Sequence, residues 1–314
     1  MTPTPDPDND AYVREVHDKG LTFDLGTMSR RRMLAVLGGT GAIAVAGGAV
    51  LLGGDAEAEA ATISCAEEVE SETAGPFPAD GSNGIDVRTV SGVVRSDIRR
   101  SFGASTTKAG GVPLYFSLLV QDLDCKPLAG AAVYVWHCDR EGRYSLYSSG
   151  VTEENYLRGI QVTDRFGRVS FTSVFPACYT GRWPHIHFEV YSSLTDATGG
   201  AGPIRKTSQI AFPEEIADRV YAEAPGYEQS VTNMERITLV SDMVFGDDLA
   251  AREMATVVGD PRFGYVALLQ ITVDPTAVEV PGGPGGPGGP GGPGGPSGPP
   301  PSGPPPTASP SPTV

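Results

Sequence analysis

The sequence predicts an all-β domain, a β-sandwich with irregular loops and few short helices, and three observations carry that expectation. Short runs rich in branched and aromatic residues recur through the middle of the chain, turn-forming clusters separate them, and helical patterns are few. Residues 112–120, 132–136, 168–171, 185–191 and 265–273 are the strand candidates, each dominated by Val, Ile, Leu, Phe, Tyr or Trp. Asp122-Leu123-Asp124 and Asp164-Arg165-Phe166-Gly167 read as turns between them. The best helical segment is 213–221, opened by Pro213 and two glutamates. Residues 63–103 read as extended and irregular.

Both ends of the 314-residue chain are compositionally distinct from this middle. Ser29-Arg30-Arg31-Arg32-Met33-Leu34, followed by a Gly- and Ala-rich apolar run over 35–54, resembles a twin-arginine export signal, with small residues at 56–61 for cleavage. The competing reading of that run is an uncleaved membrane anchor, disfavoured by its glycines. From Pro281, Pro-Gly-Gly units give way to Ser, Pro and Thr. That tail cannot bury a core and is a poor collagen helix, so it reads as a disordered tail or spacer, either threading cell-wall polymer or simply tolerated. The expected organisation is therefore a signal region at 1–61, a catalytic domain at 62–280 and a disordered tail at 281–314. A net charge of -15 argues against a nucleic-acid partner, which would need a basic face. Four cysteines (Cys65, Cys125, Cys138, Cys178) allow one or two bridges in an exported protein, in three connectivities that sequence does not separate.

Chemistry-bearing residues are sparse. Two of the four histidines stand at His185 and His187, two apart on a candidate strand, so their imidazoles share one face. That spacing suits a metal site as well as a pair of polar groups on a solvated face, and alone it does not decide. Its neighbourhood does more: Phe175-Pro176-Ala177-Cys178-Tyr179-Thr180-Gly181-Arg182-Trp183-Pro184-His185-Ile186-His187 contains a tyrosine and an arginine just upstream, and Trp136-His137-Cys138-Asp139-Arg140-Glu141-Gly142-Arg143-Tyr144 precedes it.

In order and spacing these two segments resemble the intradiol ring-cleavage dioxygenases, the family of catechol and protocatechuate dioxygenases. Glu72-Thr73-Ala74-Gly75-Pro76-Phe77, Arg95-Ser96-Asp97-Ile98 and Thr207-Ser208-Gln209-Ile210 extend the match. The resemblance implies ferric iron, Fe(3+), held by Tyr144, Tyr179, His185 and His187, with a catechol-type aromatic and dioxygen as substrates. The residue types suit such an ion: a trivalent cation favours anionic oxygen and can deprotonate phenols, and two neutral imidazoles complete the set. The resemblance further implies that the substrate enters as a chelating dianion in place of a hydroxide and one tyrosinate, by position Tyr144. Arg182 stands where the family has a cation beside the ring, and Gln209 matches a polar residue facing the substrate. The chain departs from better-known members in lacking a long helical N-terminal region.

Bland readings apply to the neighbours. Tyr147 is the rival to Tyr144 but reads as a core or surface tyrosine, and His137 as structural. Cys178 reads as a disulfide partner or a buried thiol, with zinc ligation beside the histidines as the less favoured option. Against the enzyme stands a second class, an exported non-catalytic β-sandwich module attached through its tail.

Overall fold

The computed structural model describes residues 67–279, so the export region 1–61, Cys65 and the tail from 281 lie outside the described residues. Eight strands form two four-stranded sheets. Strands β1 (Pro113–Gln121), β4 (Arg168–Val174), β7 (Thr256–Asp260) and β8 (Gly264–Thr272) make the first, in the order β4-β1-β8-β7. Strands β2 (Ala132–Trp136), β3 (Arg158–Val162), β5 (His185–Tyr191) and β6 (Ile204–Ala211) make the second, in the order β3-β2-β5-β6. All pairings are antiparallel except β1 with β8, which run parallel, Leu114 opposite Tyr265.

The expected sandwich is therefore present. The predicted strands correspond to β1, β2, β4, β5 and β8, each within a few residues. Helix α2 (Glu214–Glu223) follows Pro213 as expected, whereas α1 (Leu194–Thr198) and α3 (Glu228–Met234) were not anticipated. Nor were β3, β6 and β7, whose sequences carry Arg, Lys or Gly where strand signals need branched residues. Pairing supplies what propensity lacks: β3 and β6 flank the β2–β5 pair and complete its hydrogen bonds. Within 67–103 the backbone is largely irregular, tied to the sheets by isolated bridges such as Val94 with Ile160 and Asp97 with Thr172. Among the described residues no helix is long and apolar enough to cross a membrane.

Strand pleat divides the side chains. On β1, Leu114, Phe116, Leu118 and Val120 point inward, while their neighbours are half-exposed. They pack with Phe171, Val133, Val135, Ile186, Phe188 and Val190 in one core between the sheets, Phe116 stacking on Phe171 at 5.1 Å. The second sheet is also covered on its outer face, by the segments that carry Ala74, Ala79, Val87, Val93 and Tyr144. That second cover is why β5 is buried at every position. Its inward residues Ile186, Phe188 and Val190 meet the apolar core, and its outward residues His185, His187, Glu189 and Tyr191 meet a polar layer.

At the far end of that layer Tyr191 donates to Glu189 Oε2, and Arg88 donates to Tyr191 and to Asp86. Burial, and next the Asp80 carboxylate, push the Glu189 carboxyl up to about 8. A raised carboxyl holds its proton in the folded state, so its stabilisation is full below about 4.5 and drains away as pH rises to about 8.

Two outcomes follow for stability. Phe188→Ala should cost about 3–5 kcal/mol in chemical denaturation, because the cavity lies between rigid sheets. Glu189→Gln should flatten the loss of unfolding free energy between about pH 6.5 and pH 8; equal slopes for the two proteins would show that Glu189 is ionised in the folded state.

Candidate metal centre and active site

The outer face of β5 presents both imidazoles to one point. His185 Nε2 lies 3.1 Å from His187 Nε2. His185 donates from Nδ1 to the carbonyl of Trp183, which leaves its Nε2 as a bare lone pair. The ring of His187 lies flat on Trp136, 4.9 Å between centroids with 2° between planes, so its orientation is set by the neighbouring strand.

Loops bring two phenols to the same lone pair. The hydroxyl of Tyr144 is 3.4 Å and that of Tyr179 3.3 Å from His185 Nε2. Tyr144 follows a turn organised by Asp139, whose Oδ1 accepts from the backbone of Glu141 and Arg143. Gly142 in that turn has φ +79°, and a Cβ there would sit 3.2 Å from Cβ of Tyr179, so glycine lets the two tyrosine loops abut. Arg158, fully buried on β3, donates to the carbonyls of Phe77, Pro78 and Ser145, clamping the loop that carries Tyr144 to the segment over the site. In that segment Gly75, at φ +67°, passes close to His187, where a Cβ would meet Cε1 at 3.3 Å.

These four donors fit a metal ion. Donor separations of 3.1–3.4 Å around His185 Nε2 match the edges of a coordination shell with bonds of about 2.0–2.1 Å. His185 Nε2 has three polar partners within 3.4 Å, yet its single lone pair can accept from only one of them; a cation among the four donor atoms would engage them all. Among the described residues no group of three or more His, Cys, Asp and Glu could hold a metal, so the phenols are needed to complete a site. Burial pushes Tyr144 well above the usual phenol range and Tyr179 up to about 12. Burial, then the Arg182 guanidinium, hold both imidazoles well below their usual range. Without a cation all four groups are neutral, and hard anionic oxygens appear only when a strongly charged ion draws the phenol protons off.

Arg182, 7% exposed, donates from Nε to Asp242 Oδ2 at 3.0 Å and from Nη2 to Gln209 Oε1 at 2.6 Å. Gln209 is fully buried, and its Nε2 donates to the carbonyl of Thr73, so its amide is engaged at both ends. Tyr147 points elsewhere: its hydroxyl accepts from Ala79 N and donates to Asn83, which leaves Tyr144 as the tyrosine facing the histidines. His137 uses both ring nitrogens, on the Cys138 carbonyl and on Ser173. Cys138 and Cys178 are free and buried, while Cys125 is disulfide-bonded. The Cys178 thiol donates to the Arg182 carbonyl and is pushed up to about 12 by burial, so it is no thiolate ligand. Asp242 and Arg158 were not foreseen, because charged residues among loop or strand sequence carry no signal of burial.

A family model described as Dioxygenase matches residues 96–193, a span that contains Tyr144, Tyr179, Arg182, His185 and His187. Over that span the chain is similar to the dioxygenases that the model describes. Among curated relatives, the chain is 44% identical over 127 residues to catechol 1,2-dioxygenase 2 of Acinetobacter lwoffii, covering 40% of each protein. It is 33% identical over 69 residues to chlorocatechol 1,2-dioxygenase of Rhodococcus opacus, covering 22% of the chain and 27% of that protein. The matched stretches thus span less than half the length of these relatives. An intradiol ring-cleavage dioxygenase from Tetranychus urticae shares the fold, with a TM-score of 0.54 and 24% identity over 68% of this chain and 98% of that one.

The geometry separates the two candidate tyrosines. Tyr179→Phe should weaken ferric-ion retention against a graded chelator by more than about 100-fold, and Tyr147→Phe should leave it unchanged; the reverse ranking would relocate the site.

Proposed function

We propose that the protein is a non-haem ferric dioxygenase that opens catechol-type rings between the two hydroxylated carbons. One observation carries this reading: two phenols and two neutral imidazoles converge on one point, with a guanidinium held beside them. In this reading Tyr144, Tyr179, His185 and His187 hold the iron, and Arg182 and Gln209 serve the substrate. Ferric iron, when bound, supplies Lewis acidity that stabilises deprotonated phenol and catechol oxygens and readies the ring for dioxygen.

The protein's own groups do the rest. Tyr179 and the two histidines stay in place, while Tyr144, packed against Phe77 at 4.9 Å, gives way and takes up a proton from an incoming catechol hydroxyl. Arg182 offers a donor toward negative charge that builds on the ring and on the attacking oxygen, beside the ring of Phe245. The carbon–carbon bond between the hydroxyl-bearing carbons breaks, both atoms of one dioxygen enter the product, and a muconate-type diacid results. The ring is oxidised, dioxygen is reduced, and no external reductant is required.

We further propose that residues 62–280 form the catalytic domain of an exported protein, tethered or spaced by its Pro/Gly tail. The twin-arginine pattern at 30–31 and the disulfide at Cys125 support an oxidising compartment outside the cytoplasm. Such a location favours aromatics met outside the cell, of which plant-derived catechols are the abundant class.

Purified iron-loaded protein should consume one dioxygen per catechol, protocatechuate or hydroxyquinol opened, with a diacid product identified by mass. A non-catalytic module would take up none.

A further inference from the structure

We propose that Asp242 is the positioning residue for Arg182, fixing the guanidinium at the reaction centre through a buried chain that runs Asp242–Arg182–Gln209–Thr73. The inference rests on the dioxygenase reading above and adds a residue outside the span that the family model matches.

Asp242 ends the short 3-10 turn Leu239–Ser241, in a loop that reads as solvated, yet its side chain is completely buried. Both of its oxygens are engaged, and Arg182 Nε, nearer to Oδ2, also lies 3.4 Å from Oδ1. Oδ1 accepts from the backbone of Val244 and Phe245, at 2.8 and 3.0 Å, and so builds the turn that lays Phe245 against His185 and Arg182. Oδ2 accepts from Arg182 Nε at 3.0 Å and from Trp183 N at 2.6 Å. A residue needed only for the turn would use one oxygen. The second oxygen, and the charge, are spent on the segment that leads into His185.

Gln209 supplies the other anchor. Its Nε2 is committed to the Thr73 carbonyl, so its Oε1 faces Arg182 Nη2. Two anchors on Nε and Nη2 fix the plane of the guanidinium, and among the described residues Nη1 has no hydrogen-bond partner. That group is the donor left for a ligand. An arginine this buried requires a compensating charge, and Asp242 is the only carboxylate it is paired with among the described residues. Arg182 therefore acts as an oriented donor rather than as a free positive charge, and orientation is what Asp242 provides.

The test is a double-mutant cycle on the iron-loaded full chain with catechol, using Asp242→Asn, Arg182→Gln and the pair. Iron content and thermal midpoint are measured for each protein, so that loss of metal or fold is separated from loss of positioning. If Asp242 acts through Arg182, Asp242→Asn lowers kcat by about 100-fold while KM changes far less. The same change then has no further effect in the Arg182→Gln background. Losses that multiply, or an unchanged kcat in folded Asp242→Asn, overturn the proposal. Should Asp242→Asn fail to fold, Arg182→Lys carries the test, because lysine keeps the charge but cannot span both anchors: a kcat loss comparable to Arg182→Gln supports fixed orientation, and wild-type kcat refutes it. A wild-type protein inert toward every catechol removes the dioxygenase reading and this inference together, whereas active wild type with multiplying losses removes this inference alone.

Discussion

The pleat of one doubly buried strand is the constraint on which the rest depends. Strand β5 must satisfy an apolar core with Ile186, Phe188 and Val190, and the alternation then forces His185 and His187 onto the opposite face. A one-residue slip would exchange the two sets, placing imidazoles in the core and a phenylalanine in the site. The hydrophobic register that stabilises the sandwich therefore also aims the candidate ligands, and fold and chemistry share one determinant. Trp136, opposite His187 in the β2–β5 ladder and flat against its ring, couples the two further.

What the strand cannot supply, the loops do. Two phenols arrive from separate connections, one after β2 and one after β4, and Gly142 allows those connections to touch. Burying such a set without a cation is unfavourable for every ionised form, as the upward-driven tyrosines and downward-driven histidines show. A highly charged ion would invert that balance, and the hydrogen bonds of Arg158 and Asp139 hold the loop of Tyr144 where such an ion needs it. Arg182 is held by the same logic, with Asp242 and Gln209 as its fixed points.

The parts of this arrangement that were legible in the sequence are those with local signatures. Alternating branched and aromatic runs mark β1, β2, β4, β5 and β8, and the spacing of His185 and His187 alone places both on one face. Strands β3, β6 and β7 were not legible, because Arg158, Lys206 and Gly259 suppress the local signal and cross-strand pairing alone defines those elements. Tyr144 and Tyr179 were identified through family resemblance, since nothing in a loop sequence says where its side chain will point. Asp242 shows the remaining gap: a charged residue in a loop is expected in water, and only the three-dimensional closure of 239–245 over Arg182 buries it.

The four-donor site makes one demand that a non-catalytic β-sandwich module would not. Ferric ion added to metal-free protein should produce a visible phenolate-to-iron band that grows in proportion and stops at one equivalent per chain. A colourless protein that takes up zinc in its place, or binds no ion at all, would contradict it.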